Sequence, residues 1–523
     1  MRYRIGVTSC TLSIPLFLVA CNQPSGSEQG LDSAVERVSS TSTSACDQLI
    51  GLKLPNTTIT IATTVADGSF VQPTPPLPFA QSPGYENLPA FCRVAATVSP
   101  VADSEIKFEV WLPAEGWNGK FMGTGNGQLR GTIFYWNMVD PLQRGYAVAN
   151  TDRGHEGEGS DWSFAIGHPE KLIDYSYRAV HEMTVKSRAI IEAFYGHEAQ
   201  YAYWSGCSAG GQQGLAAAQR FPDDYDGIIA GAGSGDWVTL TTTPILIEQV
   251  LTDPEAPLPR EKLPMIREAA VAACDAADGV ADRVVAHPHQ CPFDPGVLQC
   301  SRGDTSSCLT AAEVDAVRRI YRGPMNPRTG EIVSPGPSPG SELAWAAFTP
   351  EGVRLAANFY RDVIFNDPDW NVFDLDFDAD VAHARELQGD VLIEPDLQAF
   401  MRRGGKLILW HGWTDGVVPA RATVKYFEAV SNSVGTDAAY ENMRLFMVPG
   451  VDHCGGGEGT FAFDAVMTLE QWVEQGTAPE RIIASRPLEG GRVRTRPLCP
   501  HPKVATYKGQ GDTDDAVNFE CRE

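Results

Sequence analysis

The sequence predicts an α/β fold in which a mostly parallel sheet carries a large insertion. Short apolar runs that end in glycine or small polar residues are typical of buried strands, and they cover residues 119–127, 145–155, 200–206, 226–233, 406–415 and 444–453. Helical segments lie between some of these runs. This alternation of strand and helix indicates functional groups at the carboxyl ends of the strands.

Two helices are expected around the third run. The first helix follows from apolar positions at intervals of three and four, which share one face, and Gly196 is a suitable end. These positions are Val180, Met183, Ser187, Ile190 and Phe194. The second helix covers residues 212–220, shortly after the third run.

The alternation stops between residues 234 and 400. This stretch contains four cysteines, the proline and glycine run SPGPSPGSE at residues 334–342, and few strand signals. We therefore expect an inserted lid domain over 234–400. The catalytic domain is expected to consist of residues 46–233 and 401–523.

The first 20 residues have the features of a signal peptide, with Arg2 and Arg4 before a mostly apolar stretch. Leu18-Val19-Ala20-Cys21 is similar to the lipobox of bacterial lipoproteins, in which the cysteine thiol receives lipid. The prediction is an exported, lipid-anchored protein at the cell surface; the alternative is an ordinary secreted protein. Residues 21–45 are rich in Ser, Thr, Gly and Gln and predict a flexible tether, so the lipid anchor is the only expected contact with a membrane.

The apolar content and the net charge of the chain limit the kinds of ligand that it is expected to bind. The chain has 523 residues, of which 43% are apolar, and a formal net charge of −25. This predicts a globular protein with a substantial core. Nucleic acids and anionic membranes need clustered Lys and Arg, so the acidic balance argues against them and favours a neutral or hydrophobic ligand. The sequence gives no indication of the oligomeric state.

Ten of the twelve cysteines remain if Cys10 leaves with the signal peptide and Cys21 receives lipid. An even number in an exported chain favours disulfides. Local spacing favours three pairs: Cys274 with Cys291, Cys300 with Cys308, and Cys499 with Cys521. Four cysteines are then left without an assigned partner: Cys46, Cys92, Cys207 and Cys454.

The third apolar run ends in the motif G-x-S-x-G, here Gly206-Cys207-Ser208-Ala209-Gly210. In this motif a strand reverses sharply into a helix, and the glycines make room for a serine hydroxyl raised above the sheet. Five residues alone are a weak signal, but the preceding apolar run and the following helix strengthen it. Ser208 is therefore the predicted nucleophile of an α/β-hydrolase core.

A serine nucleophile needs a histidine to accept its proton and a carboxylate to orient that histidine. In α/β hydrolases the three residues follow in the order Ser, Asp, His. Asp415 ends the fifth apolar run and His453 ends the sixth, so these two residues complete the predicted triad. The alternatives are Asp415 as a turn cap, Asp452 as the acid and His411 as the base.

The oxyanion of a tetrahedral intermediate needs two preorganised donors, and the amide after the nucleophile, that of Ala209, supplies one. The loop GTGNG at residues 123–127 is the candidate for the other. Gly127 is preferred because glycine lets the backbone approach the substrate closely. The alternative is a glycine-rich turn without a catalytic role; the loop does not match a dinucleotide-binding fingerprint.

Within the insertion, the stretch CDAADGVAD places Asp275, Asp278 and Asp282 around a glycine. Carboxylates at short spacing, together with backbone carbonyls, suit Ca²⁺, which prefers six to eight oxygen ligands, although the pattern is not that of an EF-hand. A solvated acidic turn is the alternative.

The chain strongly resembles the tannase and feruloyl esterase family, which also includes the mono(2-hydroxyethyl) terephthalate hydrolase. The stretches that carry the resemblance are GHPEKLIDYSYRAVHEMTVKSRAIIEAFYG, GCSAGGQQGL, RFPDDYDGIIAGA, GGKLILWHGWTD, RLFMVPGVDHCGGG and TRPLCPHPKVATYKGQGD. They cover most of the chain outside the tether and the middle of the insertion.

The resemblance implies an α/β-hydrolase core with an inserted lid, a triad of Ser208, Asp415 and His453, and oxyanion donors at Gly127 and Ala209. It also implies two disulfides, Cys207 with Cys454 and Cys46 with Cys92. It further implies a structural calcium ion held by Asp275, Asp278, Asp282 and the carbonyls of Val280 and Val284.

The function that the resemblance implies is a serine carboxylic ester hydrolase acting on small esters of aromatic acids: gallates, hydroxycinnamates or terephthalate half-esters. Arg354 and Arg361 are candidates for a contact with a substrate carboxylate. Aromatic residues of the insertion are candidates for a pocket, although most are expected in the lid core: Trp345, Phe348, Phe359, Tyr360 and Trp370. The alternatives are an α/β hydrolase of amides or thioesters, and a non-catalytic surface binding protein.

Overall fold

The computed structural model describes residues 44–73, 84–255, 257–301 and 307–523. The predicted signal peptide, the predicted lipid site Cys21 and the predicted tether up to residue 43 lie outside the described residues. Within the described ranges no helix is long and apolar enough to cross a bilayer. A capping box formed by Ser44 and Asp47 begins the first helix at Ala45, where the tether was expected to end.

Nine strands form one sheet in the spatial order β1-β2-β3-β5-β4-β6-β7-β8-β9. These strands are β1 (Thr57–Val65), β2 (Phe91–Val98), β3 (Ile106–Pro113), β4 (Lys120–Thr124), β5 (Ala147–Thr151), β6 (Tyr201–Cys207), β7 (Gly227–Gly231), β8 (Lys406–Gly412) and β9 (Met443–Val448). Strands β1, β2, β3 and β5 pair antiparallel. From β5 through β9 every neighbouring pair is parallel. The sheet confirms the predicted α/β-hydrolase fold.

Each of the six apolar runs contains one strand of the parallel part of the sheet, β4 to β9. All five residues of β7 and all six of β9 are buried, as expected for strands covered on both faces. The antiparallel strands β1, β2 and β3 were not predicted from the sequence. Only one residue of β1 is buried, and the buried positions of β2 mostly alternate with more exposed ones, which weakens the apolar signal. In β3 the charged residues Lys107 and Glu109 interrupt the apolar residues.

Four shorter strands near the end of the chain form two hairpins separate from the main sheet. They are β10 (Ile482–Pro487), β11 (Val493–Leu498), β12 (Val504–Tyr507) and β13 (Phe519–Arg522). Strand β10 pairs with β11 and β12 pairs with β13, both antiparallel.

Fourteen α-helices are present among the described residues. They are α1 (Ala45–Gln48), α2 (Val139–Gln143), α3 (Pro169–Ile173), α4 (Ala179–Tyr195), α5 (Ala209–Arg220), α6 (Trp237–Leu251), α7 (Leu263–Cys274), α8 (Ala311–Arg322), α9 (Arg354–Asn358), α10 (Ala379–Leu387), α11 (Gln398–Arg402), α12 (Ala420–Val434), α13 (Thr436–Asn442) and α14 (Ala465–Gln475). Helix α4 is the one predicted from apolar spacing, and it ends at Gly196 with φ +81°. Helix α5 begins at Ala209, three residues before the predicted start.

The insertion between β7 and β8 contributes helices α6 to α11 and, over its described residues, no strand of the sheet. It packs on the catalytic domain through aromatic side chains. Trp162, which precedes the insertion, lies 4.8 Å from Trp237 and 5.6 Å from Phe359 between ring centroids. The predicted lid is therefore attached to the core by an apolar cluster.

Five disulfides join the ten cysteines of the described chain. The pairs are Cys46 with Cys92, Cys207 with Cys454, Cys274 with Cys291, Cys300 with Cys308, and Cys499 with Cys521. Two of the five lie within the insertion, and one joins the loops after β6 and β9. Such a number of disulfides is typical of proteins from an oxidising, extracytoplasmic compartment.

Candidate active site

Ser208 lies at the sharp turn between β6 and α5. Its backbone adopts φ +62° and ψ −126°, a conformation that is strained for a residue with a side chain. The turn is tight enough that a Cβ atom added to Gly206 would lie 2.5 Å from the carbonyl group of Gly210. The glycines of the motif are therefore required by the close approach of strand and helix, and the serine hydroxyl is raised above the sheet.

The structure brings Ser208, His453 and Asp415 together. Nε2 of His453 lies 2.8 Å from Oγ of Ser208, and Nδ1 of His453 lies 2.6 Å from Oδ2 of Asp415. Asp452, the alternative acid, instead accepts a hydrogen bond from Thr414 at 2.8 Å. The geometry is that of a serine nucleophile with its base and orienting acid.

The charges around Asp415 and His453 reinforce each other. Burial by itself would raise the pKa of Asp415, but His453 and the hydrogen bond from His411 outweigh it and hold this pKa well below its usual range. Burial by itself would lower the pKa of His453, but the Asp415 carboxylate outweighs it and raises that pKa. A buried anion thus supports the charge that His453 acquires when it accepts a proton.

His411, the alternative base, is fully buried and contacts Asp415 rather than Ser208. Its Nε2 is 3.0 Å from Oδ2 of Asp415, and its Nδ1 is 2.7 Å from Oγ1 of Thr423. The ring therefore contacts the acid, whereas His453 contacts Ser208.

A disulfide joins Cys207 and Cys454, the residues next to Ser208 and His453. The Cα atoms of the two cysteines are 5.9 Å apart, and 247 positions separate them along the chain. Cys454 adopts φ +60°, the left-handed region that residues other than glycine rarely occupy. The bond links the loop of the nucleophile to the loop of the base.

The predicted oxyanion loop packs directly on the start of α5. A Cβ atom added to Gly125 would lie 2.3 Å from Cα of Gly210, so glycine is needed at this contact. Gly127 lines one cavity at Ser208, and Ala209 is the first residue of α5 and lines another. Both predicted donors therefore line cavities that Ser208 also lines.

Asn126 and Gln213 join the oxyanion loop to α5 by two reciprocal hydrogen bonds. The backbone N–H of Asn126 donates to Oε1 of Gln213 at 2.9 Å, and Nε2 of Gln213 donates to Oδ1 of Asn126 at 3.0 Å. Both side chains are buried. Sequence reasoning missed this pair. The one signal was a polar residue beside the glycines in each motif, Asn126 in GTGNG and Gln213 in GCSAGGQQGL.

Arg153 supports the same loop from the end of β5. It is buried, and its guanidinium donates to the carbonyl of Gln128 at 3.0 Å and to the carbonyl of Tyr175 at 3.0 Å. Gln128, which follows Gly127, adopts φ +54°. The contact holds the residue after the predicted donor in a strained conformation.

Two cavities meet at Ser208 and His453. The cavity beneath the insertion has a volume of about 440 Å³ and is mainly apolar; its lining includes Trp237, Leu240, Pro244, Phe348, Val353, Leu355, Ala356, Val417 and Val418. The other cavity, of about 630 Å³, lies on the side of the oxyanion loop and includes Asn126, Gly127, Phe134, Trp136, Asn137 and Asp140. An ester bound with its carbonyl at Ser208 can extend one side into each cavity.

The structure confirms the expectation that most of the aromatic pocket candidates lie in the core of the insertion. Of the five aromatic candidates only Phe348 lines the cavity beneath the insertion. The other four belong to the aromatic core of the insertion: Trp345, Phe359, Tyr360 and Trp370. Arg361 pairs with Asp362 at 2.7 Å and Arg354 is exposed to solvent; among the described residues no Arg or Lys lines this cavity.

The acidic loop of the insertion holds its three aspartates by different contacts. Asp275 accepts backbone hydrogen bonds from Asp282 at 3.0 Å and from Val284 at 3.2 Å. Asp278 accepts one from the N–H of Val280 at 3.0 Å. Burial raises the pKa of Asp278 to about 6, which indicates that a cation near this carboxylate would stabilise its charged form.

Asp282 provides the test of whether this loop suits calcium. Its Oδ2 accepts hydrogen bonds from Arg494 at 3.1 Å and Arg496 at 2.8 Å, whereas its Oδ1 is buried without a partner. A small cavity of about 40 Å³ is lined by Asp278, Asp282 and Val284 together with these arginines. Over the described part of the chain no three acidic, histidine or cysteine side chains converge as a ready metal site. The donors fit calcium if the carboxylate of Asp282 turns from its two arginine partners.

Comparisons with known proteins agree with this geometry. Residues 92–522 match the family described as "Tannase and feruloyl esterase". The chain is 39% identical to an uncharacterized esterase of Xanthomonas campestris pv. campestris, over 91% of each chain. It is 32% identical to the mono(2-hydroxyethyl) terephthalate hydrolase of Piscinibacter sakaiensis, over 83% of this chain and 85% of that one.

The fold is shared with a solved structure of feruloyl esterase B from Aspergillus oryzae. The TM-score is 0.82 at 28% identity, and the alignment covers 92% of this chain and all of the other. The fold, the family match and the identities lead to one assignment. The chain belongs to the tannase and feruloyl esterase family and is a carboxylic ester hydrolase.

Proposed function

We propose that this enzyme hydrolyses esters of aromatic acids by an acyl-enzyme mechanism with Ser208, His453 and Asp415 as the catalytic triad. The observation that carries the proposal is the continuous hydrogen-bonded chain from Oγ of Ser208 through His453 to Asp415, which opens onto an apolar cavity. The family relationship supports the choice of an ester as substrate.

The first half of the reaction forms the acyl-enzyme. Oγ of Ser208 attacks the ester carbonyl carbon while Nε2 of His453 accepts the hydroxyl proton. The negative charge that develops on the carbonyl oxygen is stabilised by the backbone N–H groups of Gly127 and Ala209. His453 then donates its proton to the oxygen of the leaving alcohol as the bond from that oxygen to the acyl carbon breaks.

The second half of the reaction releases the acid. His453 accepts a proton from water, whose oxygen attacks the acyl carbon bound to Ser208. The second tetrahedral intermediate uses the same two backbone donors, and its collapse returns the proton to Ser208. Asp415 stays ionised throughout and stabilises the imidazolium form of His453.

The acyl group is proposed to be aromatic and uncharged. The cavity beneath the insertion is lined by apolar and aromatic side chains, and none of its described lining residues is Arg or Lys. A buried carboxylate without a cationic partner is strongly disfavoured, so a terephthalate half-ester should fit worse than a feruloyl or galloyl ester. This choice distinguishes the chain from the relative named for a terephthalate ester.

A hydrolysis panel tests both the chemistry and the substrate. Methyl ferulate, methyl gallate, a terephthalate half-ester and matched amide and thioester analogues are compared with wild-type enzyme and the Ser208→Ala variant. We expect turnover of the ferulate or gallate ester, weaker turnover of the half-ester, and loss of at least about 10⁴-fold in Ser208→Ala. Fluorophosphonate should label the wild type alone.

Several outcomes would contradict the proposal. An active Ser208→Ala variant would exclude the proposed nucleophile, and faster cleavage of the amide or thioester would assign another hydrolase chemistry. Binding of aromatic esters without turnover or fluorophosphonate labelling would instead indicate a binding protein. The melting temperature of Ser208→Ala is the control, because an unchanged value shows that lost activity does not come from unfolding.

A structural calcium ion is also proposed for the acidic loop of the insertion. The buried, unpartnered Oδ1 of Asp282 and the small cavity beside Asp278 and Val284 support it. Asp275 and the carbonyl of Val280 would complete the oxygen donors. The ion would hold the loop in place and would take no part in ester cleavage.

Export of the protein with lipid attachment at Cys21 is likewise proposed. The five disulfides support an oxidising compartment. The lipid site itself depends on the sequence Leu18-Val19-Ala20-Cys21.

A further inference from the structure

His411 is a buried histidine that the proposed reaction does not use. It lies at the end of β8, four residues before Asp415, and its side chain is fully buried. Nε2 of His411 and Nδ1 of His453 both contact the same atom, Oδ2 of Asp415, at 3.0 Å and 2.6 Å. The triad acid is therefore shared by two imidazoles.

The carboxylate of Asp415 determines which nitrogen of His411 carries the proton. An ionised carboxylate can only accept hydrogen bonds, so Nε2 of His411 must carry a proton and donate it to Asp415. The other carboxylate oxygen, Oδ1, accepts the backbone N–H groups of Val417 at 2.7 Å and Val418 at 2.9 Å. Four donors thus hold the carboxylate in one orientation.

Thr423 on α12 holds the opposite edge of the His411 ring. Its Oγ1 is 2.7 Å from Nδ1 of His411 and 3.2 Å from the carbonyl oxygen of Gly233. The hydroxyl has one proton, which it can give either to the Gly233 carbonyl or to Nδ1. Because Nε2 of neutral His411 carries the ring proton and faces Asp415, Nδ1 can only accept, so the hydroxyl donates to Nδ1 at the shorter distance. The loop after β7, to which Gly233 belongs, packs on the backbone of Gln212 in the nucleophile helix α5.

The groups that face this site from each neighbouring element are few. The loop after β9 contributes His453 and Asp452, of which Asp452 is bound to Thr414. Helix α12 contributes the uncharged Thr423, and the loop after β7 contributes the carbonyl of Gly233. The charge that His411 meets directly is that of Asp415.

We propose that His411 is a positioning residue that limits the basicity of Asp415 and thereby sets the pH at which His453 can act as a base. This inference rests on the proposed function, because it assigns a role only through the triad. By sharing Oδ2, the N–H of His411 takes up part of the carboxylate charge that would otherwise stabilise protonated His453. Loss of this N–H strengthens the bond between Asp415 and His453 and raises the pKa of His453.

The test compares His411→Leu, which removes the donor, with His411→Gln, whose amide can donate to Asp415 and accept from Thr423. The activity of the wild type is expected to fall as the pH drops through the pKa of His453. In His411→Leu the acid limb, which is the pH range over which kcat/KM falls, should move up by about one pH unit, the size expected for one hydrogen bond to a carboxylate. The plateau, which is the pH-independent value of kcat/KM above that range, should fall about tenfold. His411→Gln restores the wild-type limb.

If His411 had a purely structural role, its replacement would lower the plateau of kcat/KM and leave the pH of the acid limb unchanged. The pH of the acid limb therefore distinguishes a positioning role from a structural one. Thr423→Val is the second variant if His411→Leu does not fold. It removes the support of Nδ1, and a smaller shift in the same direction is expected. An unmoved limb in the folded variants, or equal limbs in His411→Leu and His411→Gln, would overturn the proposal.

Fluorophosphonate labelling separates this result from a failure of the proposed function. If wild-type Ser208 is unlabelled, the triad itself is wrong. If wild-type Ser208 is labelled, and no folded variant moves the acid limb of the pH profile of kcat/KM, only the role of His411 is wrong.

Discussion

The two sides of the active site differ in how they are held together. On the sheet side, Ser208, His453 and Asp415 are joined by hydrogen bonds of 2.6 to 2.8 Å and by the disulfide between the neighbouring residues Cys207 and Cys454. On the lid side, the cavity is lined mainly by apolar side chains, which contribute packing rather than hydrogen bonds to its walls.

This difference suggests that the sheet side carries out the chemistry and that the lid side selects among substrates. Hydrogen bonds and a covalent bond fix directions and distances, which proton transfer requires. Apolar packing defines a shape but few directions, so it can admit related acyl groups. Changes on the sheet side should therefore lower the turnover of every ester, whereas changes on the lid side should alter the preference among esters.

The largest effect is expected from replacing Cys207 and Cys454 together by alanine. The closed loop spans 247 positions, and the chain-entropy model gives roughly 5 kcal/mol of stability for a loop of this length. Because the bond also aligns nucleophile and base, kcat should fall about 10- to 100-fold for all esters in the folded fraction. Urea unfolding and the fluorophosphonate labelling rate measure the two effects.

Cys300→Ala with Cys308→Ala is the matched control for that variant. This disulfide closes only eight positions within the insertion, and the same model gives about 2 to 3 kcal/mol for it. Its loss should leave kcat unchanged. Full turnover in the Cys207 and Cys454 double variant would reduce that bond to a purely structural role.

An intermediate effect is expected from Phe348→Ala on the lid side. Phe348 is buried and lines the apolar cavity, so its loss removes contacts that only a large acyl group makes. KM for methyl ferulate should rise about tenfold, while hydrolysis of a short acetate ester should change little. Phe373→Ala is the control, because Phe373 belongs to the insertion but is 50% exposed. Equal losses on both esters would show that the lid side also positions the catalytic groups.

The smallest effect is expected from removal of calcium. Chelation with EDTA should lower the melting temperature by a few degrees, because a bound ion stabilises the folded state only. Asp282→Asn should reduce this sensitivity, whereas Asp294→Asn should retain it, since Asp294 is an exposed acid of the insertion paired with Arg318. Ester turnover at 25 °C should be unaffected. A melting temperature independent of EDTA in the wild type would exclude the ion.

Sequence reasoning reached furthest where function and local structure impose the same pattern. The six apolar runs mark β4 to β9 because parallel strands are buried on both faces, and Ser208, Asp415 and His453 stand at the ends of three of them. The antiparallel strands β1, β2 and β3 escaped prediction because exposed residues in β1 and β2, and the charged residues Lys107 and Glu109 in β3, break the apolar run. Sequence reasoning could not single out Phe348 among the five aromatic candidates, because an aromatic side chain gives the same signal in a core as in a cavity.

The sequence by itself determined the class of fold and predicted Ser208, Asp415 and His453 as a candidate triad, since spacing, glycines and buried strands are local properties of the chain. Only the tertiary structure decided which histidine contacts Ser208. His411 and His453 have the same side chain and both contact Oδ2 of Asp415, but His411 lies on strand β8 whereas His453 lies on the loop after β9, from which its ring also contacts Ser208. The pairing of Asn126 with Gln213, 87 positions apart, likewise exists only once β4 and α5 are packed together.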